Sequence, residues 1–469
     1  MASLGYRLPG TRLEDVTQPK SVNISSTQRT PCFIGIASNY IKVTYEQVTR
    51  GTGDFDELAY SSAGIYQVTQ TGKQRGLKDI IAGTHYTLVN TGTSSGLLWT
   101  TAGKAYVPSG STYFVNYSYN RPYDPVYLTN PELNDYRYKE FTAFEDVVAD
   151  LGDDIPTNPL VMICKIALKY FNVPKVATVQ VRTTSSSDYA DALSLILYRD
   201  VQTVCCLTTS AAVRTLLNNH VTERCLPDNM RFRMGWTGAA TGTAIGDESD
   251  PNSIRGIAAG LKNELMVMVN ATRAKYYYND PTTREQLYTV VDGAFIAAVI
   301  AAYRDSFSYP CTNLLNKTIS GLELYEEDYE DYYSEYMLEQ AGSSSVFLVQ
   351  NGTGGAIKVM DDLTTDNSTV ERNNINIITA KHFIAKDVAI QMDRTFKGRL
   401  ILDRGVYQNT VAGYLAIMFS IYKQAGIIED VGTIKVTLPS TRRDTVEIFY
   451  SYYAVYTHKY TDGTYALEV

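Results

Sequence analysis

The chain has 469 residues, 44% of them apolar and 20% charged, with 42 Lys and Arg against 50 Asp and Glu for a net charge of −8. That length and composition suit about three globular domains, and the acidic balance argues against a nucleic-acid partner, which calls for a basic excess. Mean hydropathy is −0.17, and the longest apolar run, 293–303, stops at Arg304 after about half the ~20 residues of a spanning helix, so no membrane insertion is expected.

The N-terminus carries Arg7, Arg12 and Glu14 without the apolar stretch of a secretory signal, which places the expected chain in a cytoplasm. Residues 1–30 read as an extended arm. Pro9-Gly10 signals a turn, Pro19 forbids helix, and Val22 to Ser25 alternates apolar with polar. An arm of this kind cannot build its own core, so Val16, Val22 and Ile24 are candidates for adding a strand to another sheet. The run from Cys32 to Ala37 is a buried strand.

Residues 47–139 are rich in Gly, Thr, Ser and Tyr. Short runs at 86–89, 96–99 and 113–117, opened by 63–70, predict an all-β module, and the prolines at 122, 125 and 131 mark the linker out. From 140 to 310 the pattern alternates. Strands are expected at 176–182, 201–207, 230–236 and 264–269, and helices at 186–199, 211–224, 253–262 and 290–303. This rhythm implies a mainly parallel sheet covered by helices. Residues 323–339 hold Glu323, Glu326, Glu327, Asp328, Glu330, Asp331, Glu335 and Glu339, five interleaved tyrosines and no base. They read as a solvated helix face or as a strip that meets a basic neighbour.

The last part opens with a hairpin at 346–350 and 356–360. A helix at 379–396 places Phe383, Ile384, Val388, Met392 and Phe396 on one face. A second helix at 410–425 stops at Gly426, and strands follow at 433–438 and 445–456 before an extended tail. The fold class is therefore α/β: a mixed, mostly parallel sheet core with an inserted all-β domain, a C-terminal α+β domain and extended terminal arms. The expected divisions are an arm at 1–30, a core at 31–46 and 140–335, the insertion at 47–139 and the C-terminal domain at 336–469. In the closing strand, Val446, Ile448, Tyr450, Tyr453 and Val455 are candidate pairing residues.

No catalytic, cofactor or metal site is expected. The six cysteines lack C-x-x-C spacing, and adjacent Cys205 and Cys206 would point to opposite faces of a strand, so buried reduced thiols are expected. The four histidines form no H-x-H or H-x-x-x-H. His382 reads as lying on the exposed side of its helix, and His220 sits on a helix beside Asn218 and Asn219. Gly92 to Gly96 fits G-x-S-x-G by letters but lies between strands of the β module. The Gly235 to Gly246 loop could cradle phosphate at the site of an α/β enzyme, yet it leads into Asp247, Glu248 and Asp250. A surface-layer protein or adhesin, suggested by the β module and 37 tyrosines, would need an export signal.

Taken in order, Tyr6-Arg7-Leu8-Pro9-Gly10, Glu14-Asp15-Val16 and the Cys32 to Ala37 run resemble the start of contractile phage tail sheath proteins. Asp362-Leu363-Thr364-Thr365, the stretch from Ala385 to Asp393, Phe396-Lys397-Gly398-Arg399, the second helix and the closing strand resemble that family's C-terminal domain. The likeness covers most of the chain outside 47–139. It implies a non-enzymatic structural subunit of a virion tail, assembled in the host cytoplasm. Copies stack as hexameric rings in a helical tube around a tail tube protein, meet baseplate and tail terminator proteins at the ends, and contract without a nucleotide or other cofactor. It also implies terminal arms exchanged between copies. The basic residues Lys381, Lys386, Arg394, Lys397, Arg399 and Arg404 then become candidates for facing an acidic tube, and the insertion a candidate for pointing outward.

Overall fold

The structure is a computed structural model that describes residues 29–37, 40–59, 62–70, 80–90, 95–120, 138–181, 183–226, 229–280, 284–398, 401, 403–441 and 445–456. The chain packs as two compact units. One holds Thr30–Ser306 and Leu314–Asn373; the other holds Phe307–Asn313 and the residues from Asn374 onward.

The first unit is built on a six-stranded sheet in the order Met266–Val269, Met234–Gly238, Thr203–Cys206, Pro31–Ile36, Val176–Val181, Tyr138–Phe141. The first five run parallel and Tyr138–Phe141 closes the edge antiparallel. Pro31–Ile36 lies between two parallel neighbours, with Phe33 level with both Cys205 and Thr178. Its continuous apolar run follows from that place, since Cys32, Phe33 and Ile34 are fully buried. The helices Ser186–Leu195, Ala211–Arg224 and Ile254–Leu261 connect successive strands, in the βα rhythm expected from sequence.

The helix Gly293–Asp305 is buried almost all round, as a helix apolar on every side must be. Sequence periodicity places its start at 290. The structure instead ends a strand at Asp292, whose side chain caps the helix by accepting from the Phe295 amide at 3.0 Å. Sequence reading misses that strand, Gln286–Asp292, and its antiparallel partner Arg273–Asn279, because β-branched and apolar residues at a strand end look like the first turn of an apolar helix. Gly293 also permits close packing. A Cβ on Gly238 would stand 2.1 Å from the Gly293 carbonyl.

The β module appears as two three-stranded sheets. One orders Tyr40–Thr49, Thr112–Asn120, Ser62–Thr69; the other orders Phe55–Glu57, Ser95–Trp99, Tyr86–Asn90. A short helix, Thr101–Tyr106, is added, capped by Thr100. Asp56 is buried at the centre and accepts from Trp99 Nε1 at 2.7 Å, Tyr113 Oη at 3.0 Å and the Gly51 amide at 2.8 Å. Three donors offset the cost of burying that carboxylate. The strand Tyr40–Thr49 runs unbroken across position 46, so the boundary read at 46/47 falls inside an element.

The acidic stretch is not a solvated helix face. Glu323–Leu324 pairs as a strand with Arg273–Asn279. Asp328 is buried and takes a two-oxygen contact from Arg273 Nε, at 3.0 and 2.8 Å. Tyr332 and Tyr333 are buried too, so Asp328 and these two rings serve the core while most of the other acids stay exposed. The boundary read at 335/336 also moves. Residues 314–373 complete the first unit, because Leu348–Asn351 and Ile357–Asp361 share a sheet with Thr318–Ile319. In addition, Phe347 donates its amide to Met268 and Thr365 to Met266.

In the second unit, the helices Ile375–Phe396 and Arg404–Gln424 pack with the antiparallel hairpin Ile428–Thr437 and Glu447–Ala454. Ile384, Val388, Leu415, Phe419, Tyr422 and Val436 form its core. Tyr422 Oη donates to Asp387 inside that core. Tyr309, on the returned segment Phe307–Asn313, donates to the carbonyl of Gly426 at 2.6 Å and so secures the turn after the second helix.

Candidate assembly surfaces

All six cysteines are free thiols, and Cys32, Cys164, Cys205 and Cys206 are buried. Burial pushes the Cys32 thiol up to about 12, which keeps it protonated and unreactive. Among the described residues, no group of three or more His, Cys, Asp or Glu could hold a metal ion, and no helix is long and apolar enough to cross a membrane. In the loop after Met234–Gly238, the helix end that could take phosphate is filled by protein. Ser253 Oγ accepts from the Gly256 amide at 2.9 Å, and a Cβ on Gly256 would stand 1.8 Å from the Asp250 carbonyl oxygen. Ser95 and Gly96 of the G-x-S-x-G letters open a strand, and 92–94 lie outside the described residues.

His382 is not on an exposed face. It is buried at 7% exposure, and burial followed by the charges of Arg29 and Lys381 holds its imidazole down at about 3. Helical periodicity gave no hint of this, because the first half of Ile375–Phe396 is buried on nearly every side. His220 is likewise buried, and Arg233 Nη1 donates to its Nε2 at 2.8 Å, so that nitrogen is the acceptor of a neutral ring.

The candidate assembly residues fall into two groups. Val16, Val22 and Ile24 lie outside the described residues, as does Arg399. In the closing strand, Val446, Ile448 and Tyr450 turn toward the core of their own unit. Tyr453 points the other way at 63% exposure, beside Phe449 at 59%. Val455 lies just past the strand, half-buried. Sequence reading missed Phe449, although the alternation Glu447, Phe449, Ser451, Tyr453 against Ile448, Tyr450, Tyr452 marks the outer face.

The hairpin is a sheet of only two strands, so among the described residues both of its outer edges are unpaired. Its register shifts between Val431 and Ile434. Gly432 sits in that bulge, where a Cβ would stand 2.4 Å from Ser451 Oγ, and the Thr433 amide donates to the same oxygen at 2.8 Å. A bulge of this kind increases the twist of a strand pair.

The basic residues do not share one face. At about 100° per residue, Lys386 and Arg394 on Ile375–Phe396 lie within roughly 80° of arc and Lys381 falls on the opposite side, while Lys397 caps the end of that helix. Lys397 pairs with Asp393 at 3.0 Å, with both side chains exposed. Arg404 donates to the carbonyls of Leu438 and Pro439, the latter at 3.0 Å, and so holds the end of Ile428–Thr437.

No family model matches the chain, and no curated protein matches it. Solved structures do. A chain of the anti-feeding prophage (AFP) baseplate, 6-fold symmetrised, is 11% identical with a TM-score of 0.50, over 72% of this chain and 90% of that one. A chain of the AFP baseplate in contracted state is 12% identical with a TM-score of 0.51, over 71% and 88%. A chain of the PVC sheath complex of an extracellular contractile injection system, in contracted state, is 10% identical with a TM-score of 0.51, over 71% and 86%. At these identities the likeness is one of fold.

Proposed function

We propose that the chain is a structural, non-enzymatic sheath subunit of a contractile injection device. The observation that carries this reading is the shared fold with chains of contractile systems, over nearly the whole length of those chains. Copies polymerise helically as stacked six-membered rings around a tail tube, with baseplate and terminator proteins at the ends, in the tail of a phage or a related particle. A head-to-tail contact that does not close on itself generates such a lattice.

The two-stranded hairpin is the receiving surface. Its open edges suit strand addition, and Phe449 and Tyr453 offer an aromatic outer face. The arm that carries Val16, Val22 and Ile24 pairs with one edge in a neighbouring copy. At the other terminus the exchange belongs to residues after 456, since Glu447–Ala454 is already paired within its own chain. Each backbone hydrogen bond adds about 1 kcal/mol net, so several per arm, repeated over many copies, keep the lattice linked while rings slide. The extended state is kinetically trapped, and contraction releases its stored free energy without a nucleotide. Lys386, Arg394 and Lys397 face an acidic tube, and the β module points outward.

Negative-stain microscopy of the purified full chain tests the reading. Tubes with a regular ring repeat are expected; monodisperse particles of monomer size under every assembly condition would overturn it.

A further inference from the structure

The first unit contains a cleft of about 560 Å³ that the assembly reading leaves unused. One wall is the loop after Met234–Gly238 and the other is the stretch from Asp331 to Gln340. Ile245 and Tyr332 are buried at its base with Met337 beside them. Asp247, Asp331 and Tyr336 are exposed at its mouth, Tyr336 at 64%.

The cleft is held open by its own hydrogen bonds. Arg255 Nε donates to Ser344 Oγ at 2.9 Å, its Nη1 donates to the Gly246 carbonyl at 3.2 Å, and its Nη2 lies 3.9 Å from Glu248 Oε2. Ser344 Oγ donates in turn to Glu248 Oε2 at 3.1 Å. This network ties the loop to the end of the helix Glu335–Ser343 and commits Arg255, the one cation among the described residues that line the cleft. A pre-formed cleft costs a partner less ordering entropy.

Its chemistry selects a cation. The base is apolar, the mouth carries an aromatic ring, and the rim is negative. Asp331 has no ionic partner among the described residues, and Glu330, Glu335 and Glu339 extend the negative field as exposed neighbours. A long basic side chain can lay its stem on Ile245 and Met337 and bring its head to the Tyr336 ring and the carboxylates.

We propose that this cleft receives the N-terminal segment of a second copy, residues 1–13, through Arg7 and Arg12. Charge decides between the two chain ends. Residues 1–13 carry Arg7 and Arg12 and no acid, whereas 457–469 set Lys459 against Asp462 and Glu468. Residues 14–28 have a contour of up to about 50 Å when extended. The inference rests on the reading that copies assemble through extended arms, and it adds a second anchor before the strand-forming part of the arm.

The test is photo-cross-linking of the full chain with a photoreactive amino acid at position 8. A product of twice the chain mass, joined to peptides from 242–247 or 331–340, is expected. Tyr336→Ala and Asp331→Lys should each reduce it about tenfold. Arg7→Glu with Arg12→Glu should reduce it likewise and recover when combined with Asp331→Lys. Tyr336 is exposed, so its replacement leaves the fold intact, as a thermal melt would verify. A product of monomer mass would assign the cleft to the chain's own arm and overturn the second-copy proposal. So would cross-links elsewhere, no product, or equal yield in the variants. Tubes in the microscope with cross-links elsewhere refute the cleft alone; cleft cross-links without tubes refute the sheath reading alone.

Discussion

His220 and His382 place one buried neutral imidazole in each unit, and both are held near 3 by burial and neighbouring cations. In an unfolded chain each returns to about 6.5. The unfolded state therefore binds more protons between those values, and stability falls as pH drops from about 6.5 toward 3. The slope approaches about 1.4 kcal/mol per pH unit for each ring. Urea unfolding at pH 7 and pH 5 should show a lower midpoint at pH 5 for the native chain. His382→Leu should shrink that difference for the second unit. An unchanged difference would mean that His382 is not held neutral by its surroundings. Arg233 belongs to the same residue-scale logic. It is fully buried without a carboxylate and donates to the carbonyls of Ile196, Arg199 and Arg231 as well as to His220. The cation beside His220 also stitches the turn after Ser186–Leu195 to the start of Met234–Gly238.

Elements meet where side chains allow backbones to meet. Gly238 ends a central strand and Gly293 begins the most buried helix, and their backbones touch where any Cβ would intrude. Gly238→Ala should therefore cost about 3 kcal/mol or more, beyond the usual overpacking range. Gly260 lies in Ile254–Leu261 with nothing within 4 Å of its would-be Cβ. There Gly260→Ala should stabilise by about 0.5–1 kcal/mol, since helix interiors favour alanine. Denaturant midpoints of the two variants should move in opposite directions; a shift of the same sign would refute the close-contact argument. The sequence holds sixteen glycines from 235 to 426 with no mark to separate these two, because the difference lies in what approaches from elsewhere in the chain.

At the scale of the molecule, the second unit offers a two-stranded sheet whose inner face is committed to its own core and whose edges are unpaired among the described residues. A chain lacking residues 1–25 should fold with both units intact and fail to form ordered tubes. Circular dichroism with negative-stain microscopy would check both parts. Ordered, contractile tubes from that chain would remove the arm from the assembly mechanism while leaving the fold untouched.

Local patterns along the chain suffice for the kinds of element and most of their order. Continuous apolar runs gave the parallel strands, the 3.6-residue period gave the two long helices with Ile384, Val388 and Phe396 inward, and alternation gave the closing strand. Those signals are local, since each depends on residues within one or two turns. Which acids are solvated and which are buried depends on contacts made across the fold. Asp328 meets Arg273 from 55 positions away, and no window along the chain reports that pairing. The same holds for the burial of His382, for the Gln286–Asp292 strand concealed beside an apolar helix, and for the assignment of 314–373 to the first unit through the Phe347 and Thr365 amides. The walls of the 560 Å³ cleft come from residues almost a hundred positions apart. Burial is a property of the partners a residue acquires, and distant segments acquire them only when the chain closes on itself.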